Sequence, residues 1–223
     1  MQTGWLNKVT GLKVEHVPCP HPNVRVNLAA KAKGVLHTTE GSTIEGALAV
    51  FLKHDAPHFL VGRDSKHHVR VLQLIPLGQI AAALENHPGG VETNTQVRAQ
   101  IEIVGFSQHH VWLPDALTTL ALRDLIGALH VACGIPNHHV ANPKRGLHAW
   151  QAAPGWFGHD GVPENIHWDP GMIDWPHLFP AVSPTPDVKP KPKPIIPLGQ
   201  TWRLVRRSNG LVYVEQGDTY PTH

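Results

Sequence analysis

The chain contains the apolar segment Gly34-Val35-Leu36-His37-Thr38-Thr39, which predicts a short buried strand that ends in polar residues. Ser42 or Thr43 can cap a helix that continues to about residue 52, with apolar residues at helical spacing. The same patterns predict strands at residues 58–62, 69–75 and 100–106, and a long helix at 114–133 that Gly134 ends. Strands interleaved with helices predict an α/β fold in which helices pack against one sheet.

Length and composition narrow the functional classes. A chain of 223 residues can hold one domain of ordinary size plus an appendage. Its formal net charge of +2 is too small to indicate binding of nucleic acid. Cys19 and Cys133 have neither metal nor disulfide spacing, which predicts free thiols in a reducing compartment. We see no signal peptide or membrane-spanning run, so we expect synthesis in the cytoplasm and no membrane partner.

Composition also predicts the domain boundaries. We predict one domain at residues 1–182, a linker at 183–198 and a short tail at 199–223. Prolines alternate with lysines in the linker, a pattern that favours extended polyproline II structure and a semi-rigid spacer. In the tail, an Asn209-Gly210 step between two alternating runs predicts a β-hairpin.

Three residues form a candidate metal site. His159 and Asp169 lie ten positions apart in a segment rich in Gly, Pro and Asn, and His37 ends the first predicted strand. Two neutral imidazoles and one carboxylate form the ligand set of a zinc site that keeps one position open, as hydrolysis requires. Taken singly, each residue has a simpler interpretation: a hydrogen-bonded surface histidine, or an aspartate that caps the helix after Pro170.

Two further residues could take part in chemistry. Glu102 lies between two isoleucines on a predicted strand. If its side chain faces the metal, burial would raise its pKa and suit it to act as a general base; otherwise it lies on a solvated face. His167 could donate a hydrogen bond to an oxyanion, or could be an ordinary loop histidine.

Four segments in this order resemble the type 2 N-acetylmuramoyl-L-alanine amidase family, which includes phage endolysins and peptidoglycan recognition proteins. These segments are residues 35–41, 57–64, 100–105, and 158–171 followed by Asp174-Trp175. Residues 162–168 are most similar to those of endolysins from phages that infect actinobacteria. The chain departs from the family at Pro57, where a tyrosine is common, and at His167, where a lysine is common.

The resemblance implies a central mixed β-sheet flanked by helices, with a Zn²⁺ site at one rim of the sheet. It implies that His37, His159 and Asp169 bind the zinc ion and that Glu102 and His167 are catalytic. The substrate would be peptidoglycan, cut at the amide between N-acetylmuramate and the L-alanine of the stem peptide. Four candidates for contact with the substrate are Asn94, at the end of the predicted loop 84–94, with Trp156, Asn165 and Trp168.

The resemblance also suggests a biological setting. We expect a monomeric endolysin that is made in the host cytoplasm without a signal peptide and acts on the cell wall after release. The basic tail (Arg203, Arg206 and Arg207) would suit anionic wall polymers, or would be a solvated tail. Two alternatives remain: a non-catalytic peptidoglycan-binding module, and a cytoplasmic amidase that recycles wall fragments.

Overall fold

A computed structural model of the protein describes residues 4–20, 31–179, 202–206 and 212–216. The chain divides into two compact units, Met1–Ala181 and Val182–His223. The predicted linker at 183–198 and the predicted Asn209-Gly210 turn lie outside the described residues.

The described elements are short strands and four helices. In chain order the strands are β1 (Lys8–Val9), β2 (Leu12–His16), β3 (Lys33–Thr38), β4 (Phe59–Arg63), β5 (Val69–Gln73), β6 (Ala99–Ile103), β7 (Gln108–Trp112), β8 (Gly155–Gly158), β9 (Gly171–Ile173), β10 (Trp202–Arg206) and β11 (Val212–Gln216). The helices are α1 (Ile44–Phe51), α2 (Ala116–Cys133), α3 (Leu147–Ala152) and α4 (Trp175–Leu178), with 3-10 turns at Thr93–Gln96 and His159–Gly161.

Among the described residues, seven strands form one mixed sheet in the order β1-β2-β5-β4-β6-β3-β8. The pairs β1–β2 and β4–β5 are antiparallel, and all other neighbours in this sheet are parallel. Separately, β7 pairs with β9 in parallel, and β10 pairs with β11 as antiparallel strands. The mixed sheet flanked by helices confirms the predicted fold class.

Strand alternation divides the main sheet into two faces. Leu36 and Ile101 pack in the cluster that contains the buried face of α2. Val35 faces the opposite side, where it packs with Trp150 of α3 and Phe157. Because side chains alternate along a strand, His37 lies on the face of Val35, opposite α2, and its register partner Glu102 lies beside it.

Helix α2 is capped at both ends by the expected residue types. The Asp115 carboxylate accepts hydrogen bonds from the backbone of Leu117 and Thr118 and forms an ion pair with Arg63. Gly134 ends the helix in the left-handed conformation, at φ 68°. By length and composition alone this helix could cross a membrane. The burial of one face of α2 in the core also explains why the helix is so apolar.

The structure differs from the sequence prediction mainly after residue 134. Residues 135–169, for which the sequence predicted neither helix nor strand, contain α3 and β8. The helix expected after Pro170 begins only at Trp175, because residues 171–173 form β9. Strand β8 is short and is bounded by glycines, so its pattern is weak. Its Trp156 packs against Gly34 of β3, where an added Cβ would lie 2.4 Å from the indole ring.

His58 is a buried histidine that the fold holds in its neutral form. Its side chain is fully buried, Nε2 lies 2.9 Å from the Gln79 carbonyl, and Nδ1 accepts a hydrogen bond of 3.1 Å from the Gln100 amide. Burial lowers the pKa of His58 to about 4, although the hydrogen bond to Gln79 partly opposes this shift. Protonation of Nδ1 would place a proton against the Gln100 N–H.

We therefore predict that His58 makes the fold sensitive to acid. Between pH 6.5 and about 4 the unfolded chain binds more protons at this residue than the folded chain, so stability is lost as the pH falls through that window. From pH 7 to pH 5 the expected contribution to the free energy of unfolding is a loss of about 2 kcal/mol. Urea unfolding of His58→Gln should show a less stable protein with a shallower pH dependence, whereas exposed His109→Gln should keep the wild-type slope. Equal slopes for the wild type and His58→Gln would contradict this assignment.

Candidate metal centre

The candidate site lies at the carboxyl ends of three adjacent parallel strands. His37 is near the end of β3, and Glu102 is its register partner on β6. His159 directly follows β8, which pairs with the other edge of β3. Because the pairing is parallel, all three strands end at one rim of the sheet, which is where open α/β sheets place their ligands. The loop that carries Asp169 returns to the same rim.

The structure brings the three predicted metal-binding side chains together. One ligand atom from each of His37, His159 and Asp169 lies within 4.8 Å of the other two. The two Nδ1 atoms are 3.0 Å apart, and the Asp169 carboxylate lies 3.2 Å from Nδ1 of His159 and 3.6 Å from Nδ1 of His37. The backbone N–H of Thr38 donates to Asp169 Oδ2 at 3.3 Å and so orients the carboxylate.

The charge states of this cluster suit a cation. Burial lowers the pKa of His37 to about 4, so its imidazole is neutral at pH 7. Burial raises the pKa of Asp169, but its contacts with His159 and His37 outweigh this effect and hold it well below its usual value. Neutral imidazole and ionised carboxylate are the forms that bind metals. The donor set therefore fits Zn²⁺ with an open coordination position.

Glu102 lies beside the cluster and is almost completely buried. Its Oε1 is 3.9 Å from Nδ1 of His37, and its Oε2 has no hydrogen-bond partner among the described residues. Burial, followed by the negative charges of Asp169 and Glu40, raises the pKa of Glu102 well above its usual value. The sequence left open whether Glu102 faces the candidate metal site or solvent. In the structure it faces the candidate metal site.

His167 lies at the upper edge of the site. Its ring stacks on that of His159, with centroids 4.1 Å apart and an interplanar angle of 9°. Its Nδ1 is 3.5 Å from Asp169 Oδ1 and its Nε2 is 3.6 Å from Glu85 Oε1. The side chain is 41% exposed, so the ring is accessible from the space above the cluster.

A cleft of about 610 Å³ opens above these groups. The three metal-binding residues and Glu102 line it, together with His167 and Trp168. Other lining residues come from the α1 end and from the loop before the first 3-10 turn: Phe51, His54, Asp55, Ala82, Ala83, Leu84, Glu85, Asn86 and His87. Trp168 is 61% exposed, so its indole is available to a ligand in the cleft.

The other three predicted substrate contacts lie elsewhere. Trp156 is fully buried against Gly34, and Asn165 is fully buried beneath the cleft wall. Asn94 is 6% exposed and bonds to both backbone groups of Leu84. None of the three lines the cleft as the described residues form it, and their burial gives them roles in packing or in holding loops.

Sequence reasoning did not single out Glu85. Its carboxylate lies within 3.6 Å of both His167 and His87, and it lines the cleft. Its backbone N–H and C=O both bond to the side chain of Asn165, across 80 residues of sequence. The predicted loop 84–94 was the only sequence signal for this residue, and loop composition does not indicate which side chain faces the site.

Comparison with known proteins identifies the fold. No family model matches the chain, and no curated protein matches it significantly. Among solved structures, a selenomethionine derivative of AmpD is similar, with a TM-score of 0.52 and 18% identity over 78% of this chain and 94% of that chain. N-acetylmuramoyl-L-alanine amidase LysC from Clostridium intestinale URNW has a TM-score of 0.48 and 14% identity, covering 74% of this chain and 94% of LysC. Peptidoglycan recognition protein-LE in complex with tracheal cytotoxin has a TM-score of 0.47 and 13% identity, covering 71% and 88% of the respective chains. The chain thus shares its fold with AmpD.

We predict that the full chain binds one zinc ion and that Asp169→Asn weakens this binding. The substitution keeps the shape of the side chain but removes the charge and one oxygen ligand. The loss of affinity should exceed the about 10–100-fold that removal of an outer hydrogen-bond partner costs. Competition with a chromophoric chelator would measure it. Asp124→Asn on α2, across the sheet, removes the same charge and should leave zinc affinity unchanged. Equal affinities for Asp169→Asn and the wild type would contradict the ligand assignment.

Proposed function

We propose that the protein is a zinc-dependent peptidoglycan hydrolase that cleaves the amide between N-acetylmuramate and the L-alanine of the stem peptide. The observation that carries this proposal is the convergence of His37, His159 and Asp169 beside the buried Glu102, at the floor of an open cleft. Two further features support it: the order of the motifs in the sequence, and the fold shared with AmpD.

His37, His159 and Asp169 would hold the metal through two imidazole nitrogens and a carboxylate oxygen. A zinc ion supplies a Lewis acid that lowers the pKa of water and polarises a carbonyl. The neutral imidazoles and the single ionised carboxylate leave a net positive charge at the loaded site, which favours developing negative charge on a substrate oxygen.

Glu102 is the proposed general base and acid. Its unpartnered Oε2 can accept the proton of an attacking water as the water oxygen bonds to the amide carbon. The same carboxyl group then delivers that proton to the amide nitrogen as the C–N bond breaks. The products are the free lactyl carboxylate of muramate and the free amino group of L-alanine. Burial keeps the proton affinity of Glu102 high, which suits both transfers.

His167 is the proposed donor to the oxyanion. Its ring stacks on that of His159, its two nitrogens lie 3.5 Å and 3.6 Å from carboxylate oxygens of Asp169 and Glu85, and the side chain is 41% exposed. In this role a substrate oxyanion would replace one of these carboxylates as the partner of a His167 N–H. In this role His167 would replace the lysine that is common at the position.

The biological setting is also a proposal. The open cleft, with Trp168 exposed on its wall, suits a polymeric substrate that enters from solvent. We propose that the protein acts as an endolysin on cell-wall peptidoglycan, as a monomer, after release from a host cytoplasm. A non-catalytic recognition module needs the groove but has no use for a buried glutamate beside three metal-binding side chains. A wall-recycling amidase would share the chemistry but act on soluble fragments.

We predict that Glu102→Gln strongly lowers the rate of hydrolysis while zinc affinity stays close to that of the wild type. Loss of a general acid–base group lowers the rate by about 10²–10⁴-fold, and His167→Ala should lower kcat by about 10²–10³-fold through loss of an oxyanion donor. Release of new L-alanine amino groups from purified walls measures both rates. His167→Lys should retain more activity than His167→Ala.

In the same assay Asp124→Asn on α2 is the matched control and should behave as the wild type. A wild-type protein that binds zinc and walls but releases no amino groups would favour the recognition module instead. Hydrolysis of soluble muramyl peptides without hydrolysis of intact walls would favour the recycling enzyme.

For the tail we propose binding to anionic wall polymers. Trp202–Arg206 and Val212–Gln216 pair as antiparallel strands, and Arg203 and Arg206 lie in the first of them. Truncation before Pro184 should lower wall binding at low salt, and the difference should shrink at moderate salt because screening weakens contacts between exposed charges. Zinc affinity and cleavage of soluble fragments should be unchanged. Equal wall binding by the truncated and full chains at low salt would refute this role.

A further inference from the structure

Asn165 connects a metal-binding histidine to the wall of the cleft. Its side chain is fully buried and lies outside the cleft lining, although it is only six residues from His159. Four hydrogen bonds surround its amide, and they reach three segments of the chain: the 3-10 turn after β8, the loop at Glu85 and the loop at Pro163. Oδ1 therefore has two partners, and both N–H groups of Nδ2 donate to carbonyls.

The partners determine which way the amide faces. Two carbonyls, those of Glu85 at 3.2 Å and Pro163 at 2.9 Å, can only accept, so the Nδ2 donors must point at them. The backbone N–H of Glu85, 2.8 Å away, can only donate, so Oδ1 must point at it. A flipped amide would place donor against donor and acceptor against acceptor. The orientation follows from the backbone alone, independently of the histidine.

This orientation also determines the tautomer of His159. Asn165 Oδ1 lies 3.0 Å from His159 Nε2, and because Oδ1 can only accept, Nε2 must carry a proton. A neutral imidazole has one N–H, so the lone pair lies on Nδ1. That atom faces His37 Nδ1 at 3.0 Å and Asp169 Oδ1 at 3.2 Å. The lone pair therefore points into the proposed metal site.

We propose that Asn165 is a positioning residue that holds His159 in the tautomer with Nδ1 free for zinc and ties this ligand to the cleft wall at Glu85. Metal-binding histidines commonly donate their second ring N–H to an acceptor that fixes the ring. Here the acceptor is an amide whose other three hydrogen bonds lock it between two loops. Both backbone groups of Glu85 depend on it, and the Glu85 carboxylate in turn lies beside His167.

This proposal rests on the zinc site and not on amide hydrolysis. Zinc affinity and the tautomer of His159 are measured without substrate, so a protein that binds zinc but cleaves nothing would leave the role of Asn165 intact. Conversely, if the protein hydrolyses walls but substitution of Asn165 does not change its zinc affinity, the role of Asn165 is overturned and the proposed function stands.

The test compares zinc affinities of the full chain and its variants by chelator competition. Asn165→Leu keeps the volume but removes the acceptor, and zinc affinity should fall by about 10–100-fold. Asn165→Asp keeps an oxygen that accepts from both Glu85 and His159, but its second oxygen faces the carbonyls of Glu85 and Pro163, which repel it. This variant should therefore be less stable than the wild type, yet because it keeps the acceptor for His159, the zinc affinity of its folded form should stay much closer to the wild-type value than that of Asn165→Leu. Similar losses in both variants would overturn the proposal.

Asn94 provides a matched control for damage to the loop. Its amide bonds to both backbone groups of Leu84, the residue before Glu85, and to Gln100, but it does not contact a metal-binding residue. Asn94→Leu should therefore destabilise the same loop and leave zinc affinity nearly unchanged. An equal loss of affinity in Asn94→Leu would show that loop disorder alone explains the effect, which would overturn the role of Asn165.

A spectroscopic measurement needs no destabilised variant. In ¹⁵N-resolved imidazole spectra of the zinc-loaded wild type, His159 should carry its proton on Nε2 and bind metal through Nδ1, and Asn165→Asp should keep this assignment. The reverse assignment in the wild type, with metal on Nε2, would overturn the proposal even if Asn165→Leu fails to fold.

Discussion

The parallel pairing of β3 with β6 and β8 is the constraint on which the site depends. It sets His37 directly opposite Glu102 and ends β8 at the same rim, so that the next residue, His159, meets them. A shift of one residue in either register would turn the side chains to the α2 face, where they would meet a large cluster of apolar side chains. Close packing of Gly34 against Trp156 holds the β3–β8 pair in place.

Within this frame, two carboxylates a few ångströms from the same imidazole have opposite protonation tendencies. The contacts of Asp169 with His159 and His37 hold its pKa low despite burial. Glu102 Oε2 has no hydrogen-bond partner within the described part of the chain, and burial together with the charge of Asp169 holds the pKa of Glu102 high. Such a separation is how one site supplies both a fixed anion and a proton carrier. The buried oxygen of Glu102 that lacks a partner destabilises the fold and is suited to chemistry.

Around this centre, buried amide side chains support the loops that line the cleft. Asn94 and Asn165 both anchor the segment at Leu84 and Glu85, and of these two only Asn165 also contacts His159, a candidate metal ligand. The cleft wall and the ligand geometry are thus coupled through buried amides. Trp168, by contrast, is exposed beside the candidate metal ligands. One short loop thus carries both a buried supporting residue, Asn165, and an exposed residue that a ligand can contact, Trp168.

Local sequence patterns, namely capping residues and apolar spacing, were sufficient to predict two helices and four strands. Thr43 caps α1, Asp115 and Gly134 bound α2, and alternation identified β3, β4, β5 and β6 within a few residues. The short glycine-bounded β8 and the β7–β9 pair escaped prediction because their stability comes from partners far away in the chain. Residue types and their order also indicated the metal-binding set. Only the tertiary structure decided which face Glu102 occupies, that Trp156 and Asn165 are buried, and that Glu85 reaches the site. Those outcomes depend on contacts between residues far apart in the chain, such as His37 with Glu102, Gly34 with Trp156, and Glu85 with Asn165, which no local pattern encodes.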